Sequence, residues 1–464
     1  MPRHYRQRFR LFVFVAFLFS LSGGPFGMET MLPTSGPGMT LLLLVVIGPL
    51  LYGVPMILTA SELGAAIPVQ GGYYRWVRRS LGDFLGFQAG WGQWLTGLLD
   101  MALYPVVIVS FLDRFVWQGV REHVVSFGPV SFPWLSWLLC MAVIVPCMII
   151  NVRGVNWVGF TAIGLDLLIV GPYIIFAVLA FFQWKYNPFT PFVPPGESVM
   201  SALGYGLLVV MWNYSGYENP SVASEEIDQP SRTIPRGLFT SLPLEIAGYT
   251  IPVVAALMVR NDWSTWSEGS FVDIARDIGS IFPGGSTFLA LLITAATIAG
   301  CLSIFNSGLL LGTRLPFAMA EDRFLPKALS RLHPRYDTPW IAILFNCSIY
   351  SILIFLPFQE LLIVSIWLYI PVQLLIYVTL WVMRLREPHL KRPFKIPWGW
   401  TGLLLVTIPP SAVAVCAILV SVWEVVEAAN LRLLFMGTAL LVSGTLAYGV
   451  RALWERHARG ATTS

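Results

Sequence analysis

The chain has 464 residues, of which 56% are hydrophobic and only 12% are charged, and its mean hydropathy is +0.70. A soluble globular protein carries about 25% charged residues, so this composition excludes an ordinary soluble enzyme or binding module. The formal net charge of +4 is small, and nucleic-acid binding is not needed to explain it. The longest polar stretch, residues 314–338, has the length of a loop, so no soluble domain is expected.

Apolar segments long enough to cross hydrocarbon, roughly 20 residues each, recur along nearly the whole chain. We predict an all-α integral membrane protein with twelve transmembrane helices, at about 11–35, 40–67, 84–112, 133–151, 157–182, 201–226, 237–259, 284–313, 339–357, 361–383, 401–423 and 431–453. The first segment follows the basic start MPRHYRQRFR and therefore also resembles a secretory signal. Because apolar sequence resumes after Pro33 and eleven more segments follow, we expect the first segment to be retained.

The basic residues predict the orientation of these helices. If the N-terminus is cytoplasmic, the inside segments hold 23 Lys and Arg residues and the outside loops hold six. Cytoplasmic loops carry an excess of Lys and Arg. Both termini are therefore expected on the cytoplasmic side of a cell membrane. The basic strip at residues 383–395 would meet anionic lipid headgroups.

Two of the predicted helices carry helix-breaking residues near their centres. The first contains three glycines and a proline within SGGPFG, residues 22–27, and the sixth breaks at Gly216 within WNYSGYEN. Backbone groups released from a helix in hydrocarbon cost several kcal/mol each unless protein, water or a ligand satisfies them. Kinks that serve packing are one interpretation. The positions favour another, because the first and sixth of twelve helices begin the two halves of an inverted-repeat transporter.

The sequence therefore predicts one membrane transport domain over residues 1–464. Residues 11–182 would form the first five-helix repeat, 201–383 the second, inverted repeat, and 401–453 the eleventh and twelfth helices. In such a fold the broken helices direct free N–H groups towards an anion, and helix C-terminal ends and loose carbonyls towards a cation.

Acidic residues inside the predicted helices suggest the chemistry of the substrate. The six within spans or near their ends are Glu29, Glu62, Asp100, Asp166, Glu218 and Glu245, and no Lys or Arg lies well inside a predicted span. A buried carboxylate needs a partner, a proton or a water-lined cavity. The missing partner is expected to be a proton, a sodium ion or a cationic substrate.

These acids have different expected roles. Asp100 lies one helical turn before Tyr104, so both share a helix face, and with Glu29 and Glu218 it is expected to surround one central site. Each of the three has the alternative of a protonated structural acid. Asp166 is expected to face the bundle as a proton-coupling group, whereas Glu245 is expected to be structural.

Aromatic residues flank the second break. Trp212, Tyr214 and Tyr217 are placed to gate the site or to form a cation–π contact with an ammonium group. The five cysteines show no paired ligand spacing, and the five histidines lie in loops or tails. No metal centre, cofactor or disulfide is therefore predicted.

Five segments of the chain resemble the amino acid–polyamine–organocation superfamily of transporters. They are SGGPFGMET, ASELGAAIPVQGGYYRWV, GFQAGWGQWLTGLLDMALYPV, SEEIDQPSRTIPRGL and RLPFAMAEDRFLPKAL. The third, together with the Pro393–Pro397 segment, is similar to the polyamine-uptake and plant L-type branch in particular. The resemblance implies an inverted repeat of helices one to five and six to ten, two peripheral helices, and alternating access that is commonly proton-coupled.

The resemblance also implies the position of the site, between the two breaks and beside the third helix. The substrate-binding candidates are Gly23, Gly24, Phe26, Gly27, Glu29, Asp100, Tyr104, Trp212, Asn213, Tyr214, Gly216, Tyr217 and Glu218, and the coupling or gating candidates are Glu62, Asp166, Glu226, Ser303 and Asn306. Ser303 and Ser307 are candidate sodium ligands. Glu226 stands in a charged loop that forms either a cytoplasmic gate or a solvated surface.

Two positions depart from the pattern of the superfamily. Several proton-coupled amino acid relatives carry a lysine in the fifth helix, where Asp166 is the only charge in this chain. The polyamine branch carries an acid in the eighth helix near CLSIFNSG, where this chain has Asn306.

The expected function is secondary transport, with proton-coupled uptake of polyamines or cationic amino acids in the first place. A transporter or exchanger of neutral or varied amino acids is the alternative. A channel, a membrane sensor or a membrane enzyme is remote, because no continuous polar stripe, signalling domain or catalytic constellation stands out. The expected partners are a small-molecule substrate, a proton or sodium ion and membrane lipids, without nucleic acid.

Overall fold

The computed structural model describes residues 8–461 apart from residues 23, 26, 128, 129, 357 and 428. Nearly all regular structure in this part is helical. The α-helices are α1 Leu11–Ser22, α2 Leu32–Leu42, α3 Val54–Ala66, α4 Gly72–Leu81, α5 Asp83–Phe115, α6 Trp134–Arg153, α7 Val155–Phe182, α8 Val199–Asn213, α9 Pro230–Val259, α10 Ser270–Gly279, α11 Gly285–Glu321, α12 Trp340–Leu353, α13 Phe358–Arg386, α14 Gly399–Glu427 and α15 Leu431–Ala461. A small antiparallel hairpin pairs Val125–Phe127 with Val130–Phe132.

Nine helical segments of the described chain are long and apolar enough to cross a membrane, and α1, α8 and α12 are shorter apolar helices. The prediction of an all-helical membrane protein is confirmed. The count of twelve spans and the inverted repeat stay predictions. Apolar side chains such as Trp423, Leu431 and Phe435 are largely exposed on α14 and α15, as expected of helices that face lipid.

The run of helical residues Met28–Ala66 contains the boundary that the sequence predicts between the first two spans. Its 39 residues would extend about 58 Å at 1.5 Å per residue, twice the hydrocarbon thickness. At Gly36 the backbone leaves the helical region, with φ 73° and ψ 163°, and Pro37 follows. The helix is therefore interrupted next to residue 35, where the first predicted span ends.

Both predicted helix breaks are present. The helix α1 ends at Ser22, and a short 3₁₀ helix, Met28–Met31, begins after Gly24 and Gly27, whose φ angles are 105° and 76°. The helix α8 ends at Asn213, and a 3₁₀ helix over Asn219–Glu226 follows Gly216, whose φ is 87°. Glycine adopts these left-handed conformations without the steric cost that a Cβ atom brings.

The two breaks lie within a bundle of packed helices. The helix α11 packs against α5 and α7, α13 packs against α5, and α1 packs against α7 and α9. The ends of α1 and α8 lie in the interior, since their last residues line one cavity together with residues of α5, α11 and α13.

Candidate functional site

A cavity of about 170 Å³ lies between the two helix breaks. Residues of α1, α5, α8, α9, α11 and α13 line it, and those with polar side chains include Ser22, Gln93, Asp100, Asn213, Ser215, Asn219 and Glu245. The predicted residues that also line it are Gly24, Tyr104, Trp212, Gly216 and Tyr217. The candidates Gly23 and Phe26 lie outside the described residues. The central site expected from the two breaks therefore corresponds to a cavity.

Asp100 contributes a carboxylate to the wall of this central cavity. The indole Nε1–H of Trp212 donates a hydrogen bond to Asp100 Oδ1 over 3.1 Å. This contact joins α5 to the end of α8, next to the second break. Tyr104, one turn further along α5, lines the same cavity, as the helical period predicts.

Glu245 on α9, for which the sequence predicts a structural role, supplies a second carboxylate. It is only 4% exposed, and it lines the central cavity. The hydroxyl of Tyr217 donates to Glu245 Oε2 over 2.5 Å. The signal available in the sequence was an acid within an apolar span, the same signal that singled out Asp100.

Glu218 lies behind the wall of the central cavity. Its side chain is completely buried and is not among the lining residues. The Tyr369 hydroxyl does line the cavity, donates to Glu218 Oε2 over 3.2 Å, and accepts the N–H of Gly216 over 3.2 Å. Tyr369 therefore connects the broken backbone to the buried carboxylate, a role that no motif in the sequence indicates.

Tyr214 also lies outside the cavity. Its hydroxyl donates to the carbonyl of Leu44 over 2.8 Å, and its ring makes an edge contact with Tyr249. The neighbouring Asn213 lines the cavity. Its amide donates to the carbonyl of Val209 over 2.8 Å, which leaves the amide oxygen as an acceptor.

Glu29 and Gly27 line a second cavity of about 80 Å³. Tyr104 and Trp212 line both cavities and so form the partition between them. Glu29 therefore does not join Asp100 around one space, as the sequence had suggested. Its Oε1 accepts the N–H of Gly269, at the start of α10, over 3.0 Å.

Asp166 of α7 contacts the first broken helix. The Ser20 hydroxyl donates to Asp166 Oδ1 over 2.8 Å, and Ser303 of α11 lies beside the same carboxyl. Among the described residues, Asp166 Oδ2 has no hydrogen-bond partner. Asp166 of α7 thus lies where α1 and α11 meet it.

The other polar candidates on α11 make different contacts. Asn306 is buried, and its side-chain oxygen and carbonyl accept the amide of Asn151 over 3.0 and 3.1 Å. It does not line the central cavity. Ser307 is fully buried, and its hydroxyl has no partner in the described part of the chain.

Glu226 forms a buried ion pair with a residue that the sequence did not connect to it. Arg314 Nε and Nη2 donate to Glu226 Oε1 and Oε2 over 2.8 and 3.0 Å, and Arg314 is 0% exposed. The backbone of Phe9 pairs with this segment, since its N–H donates to the Glu226 carbonyl over 2.8 Å. Glu226 is therefore not part of a solvated surface. Arg314 lies inside the helix α11 and holds the loop of Glu226 to that helix.

Glu62, at the end of α3, is held by two arginines. Arg384 donates to both carboxylate oxygens over 2.6 and 2.5 Å, and Arg392 Nε lies 3.2 Å from Oε1. The N–H of Ile396 adds a bond of 2.8 Å. The cluster fixes α3 to the end of α13 and to the connection that leads to α14.

The central cavity has a negative character. It is lined by two carboxylates, and no Lys, Arg or His occurs among its described lining residues. The C-terminal ends of α1 and α8 adjoin it and carry partial negative charge. The aromatic rings of Trp94, Trp212 and Tyr73 complete the wall. This arrangement suits a small organic cation.

Comparison with known proteins agrees with the geometry. Residues 10–437 match the sequence profile of the family described as amino acid permease. The chain belongs to the amino acid permease family. It is therefore a multi-pass membrane transporter rather than an enzyme, and the predicted superfamily is confirmed.

Individual relatives of this permease come from plants and bacteria. It is 30% identical to Polyamine transporter RMV1 of Arabidopsis thaliana over 433 residues. This match covers 93% of this chain and 82% of the relative. It is 28% identical over 445 residues to Polyamine transporter PUT1 of Oryza sativa subsp. japonica, which covers 96% and 79%. It is 26% identical over 399 residues to Branched-chain amino acid permease BcaP of Bacillus subtilis, which covers 83% and 81%.

Proposed function

We propose that this permease takes up polyamines or cationic amino acids across the cell membrane, driven by a proton gradient and working by alternating access. The twelve-helix inverted-repeat architecture and cytoplasmic termini predicted from the sequence belong to the same proposal. The names of the plant relatives, Polyamine transporter RMV1 and Polyamine transporter PUT1, support this substrate class.

The observation that carries the proposal is the charge of the central cavity. Asp100 and Glu245 face a space in which no basic side chain of the described chain balances them. Uncompensated carboxylates in a membrane interior are costly. An ammonium group that enters this space replaces the missing counter-charge, and the surrounding aromatic rings add cation–π stabilisation.

Trp212 gives the binding step a mechanism. In this structure its indole N–H donates a hydrogen bond to Asp100 Oδ1. An incoming ammonium group would take over that oxygen, and the indole would turn away. Trp212 precedes the break at Gly216 on the same segment. Substrate binding at Asp100 would therefore act directly on the helix whose movement opens and closes the site.

Asp166 is the residue that we assign to proton coupling. It accepts from Ser20, two residues before the end of α1, and its Oδ2 has no partner in the described residues. Protonation would turn this oxygen into a donor and change how α1 is held against α7. A sodium ion bound through Ser303 and Ser307 is the alternative, because their hydroxyls are buried and without described partners.

A transporter of neutral or varied amino acids is the second candidate. The name of Branched-chain amino acid permease BcaP favours it.

Uptake by purified protein in proteoliposomes tests the proposal. Under an imposed gradient that drives protons into the proteoliposomes, we expect uptake of labelled putrescine, spermidine or arginine and little uptake of a neutral amino acid. Asp100→Asn should lower apparent affinity for cations by tenfold or more, since a hydrogen bond to a charged group contributes about 1.5–3 kcal/mol. Asp113→Asn, near the outer end of the same helix, is the matched control. Uptake of neutral amino acids alone would overturn the cationic proposal.

A further inference from the structure

The second cavity has the features of a binding site of its own. Its volume is about 80 Å³, and its wall includes Glu29, Glu268, Tyr173 and Phe271. The two carboxylates come from distant parts of the chain, one after the first helix break and one before α10. Tyr104 and Trp212 separate this cavity from the central one.

One carboxylate oxygen of Glu29 is able to accept a further hydrogen bond. The side chain of Glu29 is 3% exposed, and its Oε1 accepts the N–H of Gly269 over 3.0 Å. Its Oε2 is buried and has no hydrogen-bond partner among the described residues. A buried carboxylate oxygen without a partner costs free energy, and this one belongs to a residue that lines a cavity.

The positive charges nearby are already engaged by other groups. Arg114 donates to the carbonyl of Glu268 over 2.7 Å and to Asp273 over 3.1 Å, so its guanidinium is held outside the cavity wall. Burial raises the pKa of the Glu268 carboxyl, and the charges of Arg121 and Arg114 oppose that shift. The described lining of this cavity includes two acidic side chains and no Lys, Arg or His.

We propose that this cavity, with Glu29 at its base, is a second ammonium subsite that binds the far end of a long linear polyamine. The inference rests on the proposed function, because it requires one amine of the same substrate at Asp100. When an ammonium displaces the Trp212 indole from Asp100, the partition between the two cavities opens. A chain with amines separated by propyl and butyl spacers then lies across it.

The subsite makes chain length a determinant of affinity. A short diamine binds in the central cavity and leaves Glu29 without a cation. A triamine or tetramine reaches both Asp100 and Glu29. Phe271 and Tyr173 would cover the methylene groups and the distal ammonium. The site thus discriminates among polyamines by length and not by charge alone.

Glu29→Gln in the full-length transporter tests the subsite by uptake of putrescine, spermidine and spermine into proteoliposomes. The glutamine oxygen can still accept the Gly269 N–H, so the fold should be kept. We expect KM for spermidine and spermine to rise about tenfold, the loss of one charge-assisted bond, and KM for putrescine to change less than about twofold. Glu197→Gln, on the exposed connection before α8, is the matched control and should change none of the three.

A second variant and the pattern of KM values distinguish the subsite from the proposed function. Glu268→Gln, at the half-buried edge of the cavity, should show the same dependence on length with a smaller rise, and it provides a second variant if Glu29→Gln yields no stable protein. An equal rise of KM for short and long amines, or no change, would overturn the subsite while wild-type polyamine uptake leaves the proposed function standing. Failure of the wild-type protein to take up any polyamine would overturn both.

Discussion

The buried pair between Glu226 and Arg314 gives the sharpest prediction about stability. Two bonds of 2.8 and 3.0 Å join their side chains, and no part of Arg314 reaches solvent. Glu226→Gln keeps the shape of the side chain but leaves a buried guanidinium without its counter-charge. Breaking a buried pair by removing one partner costs about 3–5 kcal/mol, and we expect the free energy of unfolding to fall by that amount.

Equilibrium unfolding in detergent micelles, followed by tryptophan fluorescence, measures this change. The control is Glu387→Gln, which breaks the exposed pair with Arg79, whose side chain is 47% exposed; such pairs contribute about 0–1 kcal/mol. Adding Arg314→Met to Glu226→Gln should recover most of the loss, since both buried charges are then gone. Equal losses for Glu226→Gln and Glu387→Gln would refute the reasoning.

Three further predictions concern the breaks and the coupling residue. Tyr369→Phe removes the hydroxyl that contacts both Gly216 and Glu218. We expect the free energy of unfolding to fall by about 1–3 kcal/mol and KM for uptake to rise. Unchanged values of both would show that this hydroxyl does not support the break. Gly216→Ala should cost about 1–2 kcal/mol because φ is 87°, whereas Gly204→Ala, with open space around it in α8, should be neutral or stabilising; equal thermal melts would contradict this. Asp166→Asn should abolish the stimulation of uptake by an imposed pH gradient while substrate binding persists, and retained stimulation would exclude Asp166 from coupling.

The sequence determined the class of protein and the position of the breaks. Apolar segments of membrane-spanning length predict an all-helical membrane protein, because hydrocarbon offers no partners to an open backbone. The breaks could be located because SGGPFG and Gly216 carry residues that weaken a helix in any context. Asp100 and Tyr104 were correctly expected on one face, since the helical period alone decides it.

Tertiary structure alone decided which of these side chains meet. The period of a helix says which residues share a face, but not which neighbour that face contacts. Glu245 was predicted to be structural and lies in the central cavity, whereas Glu218 lies behind Tyr369, 151 residues away in sequence. Glu226 pairs with Arg314, 88 residues further along. The cavity walls come from helices far apart in the chain, and only their packing decides whether a buried acid lines a cavity, contacts a neighbouring helix or pairs with an arginine.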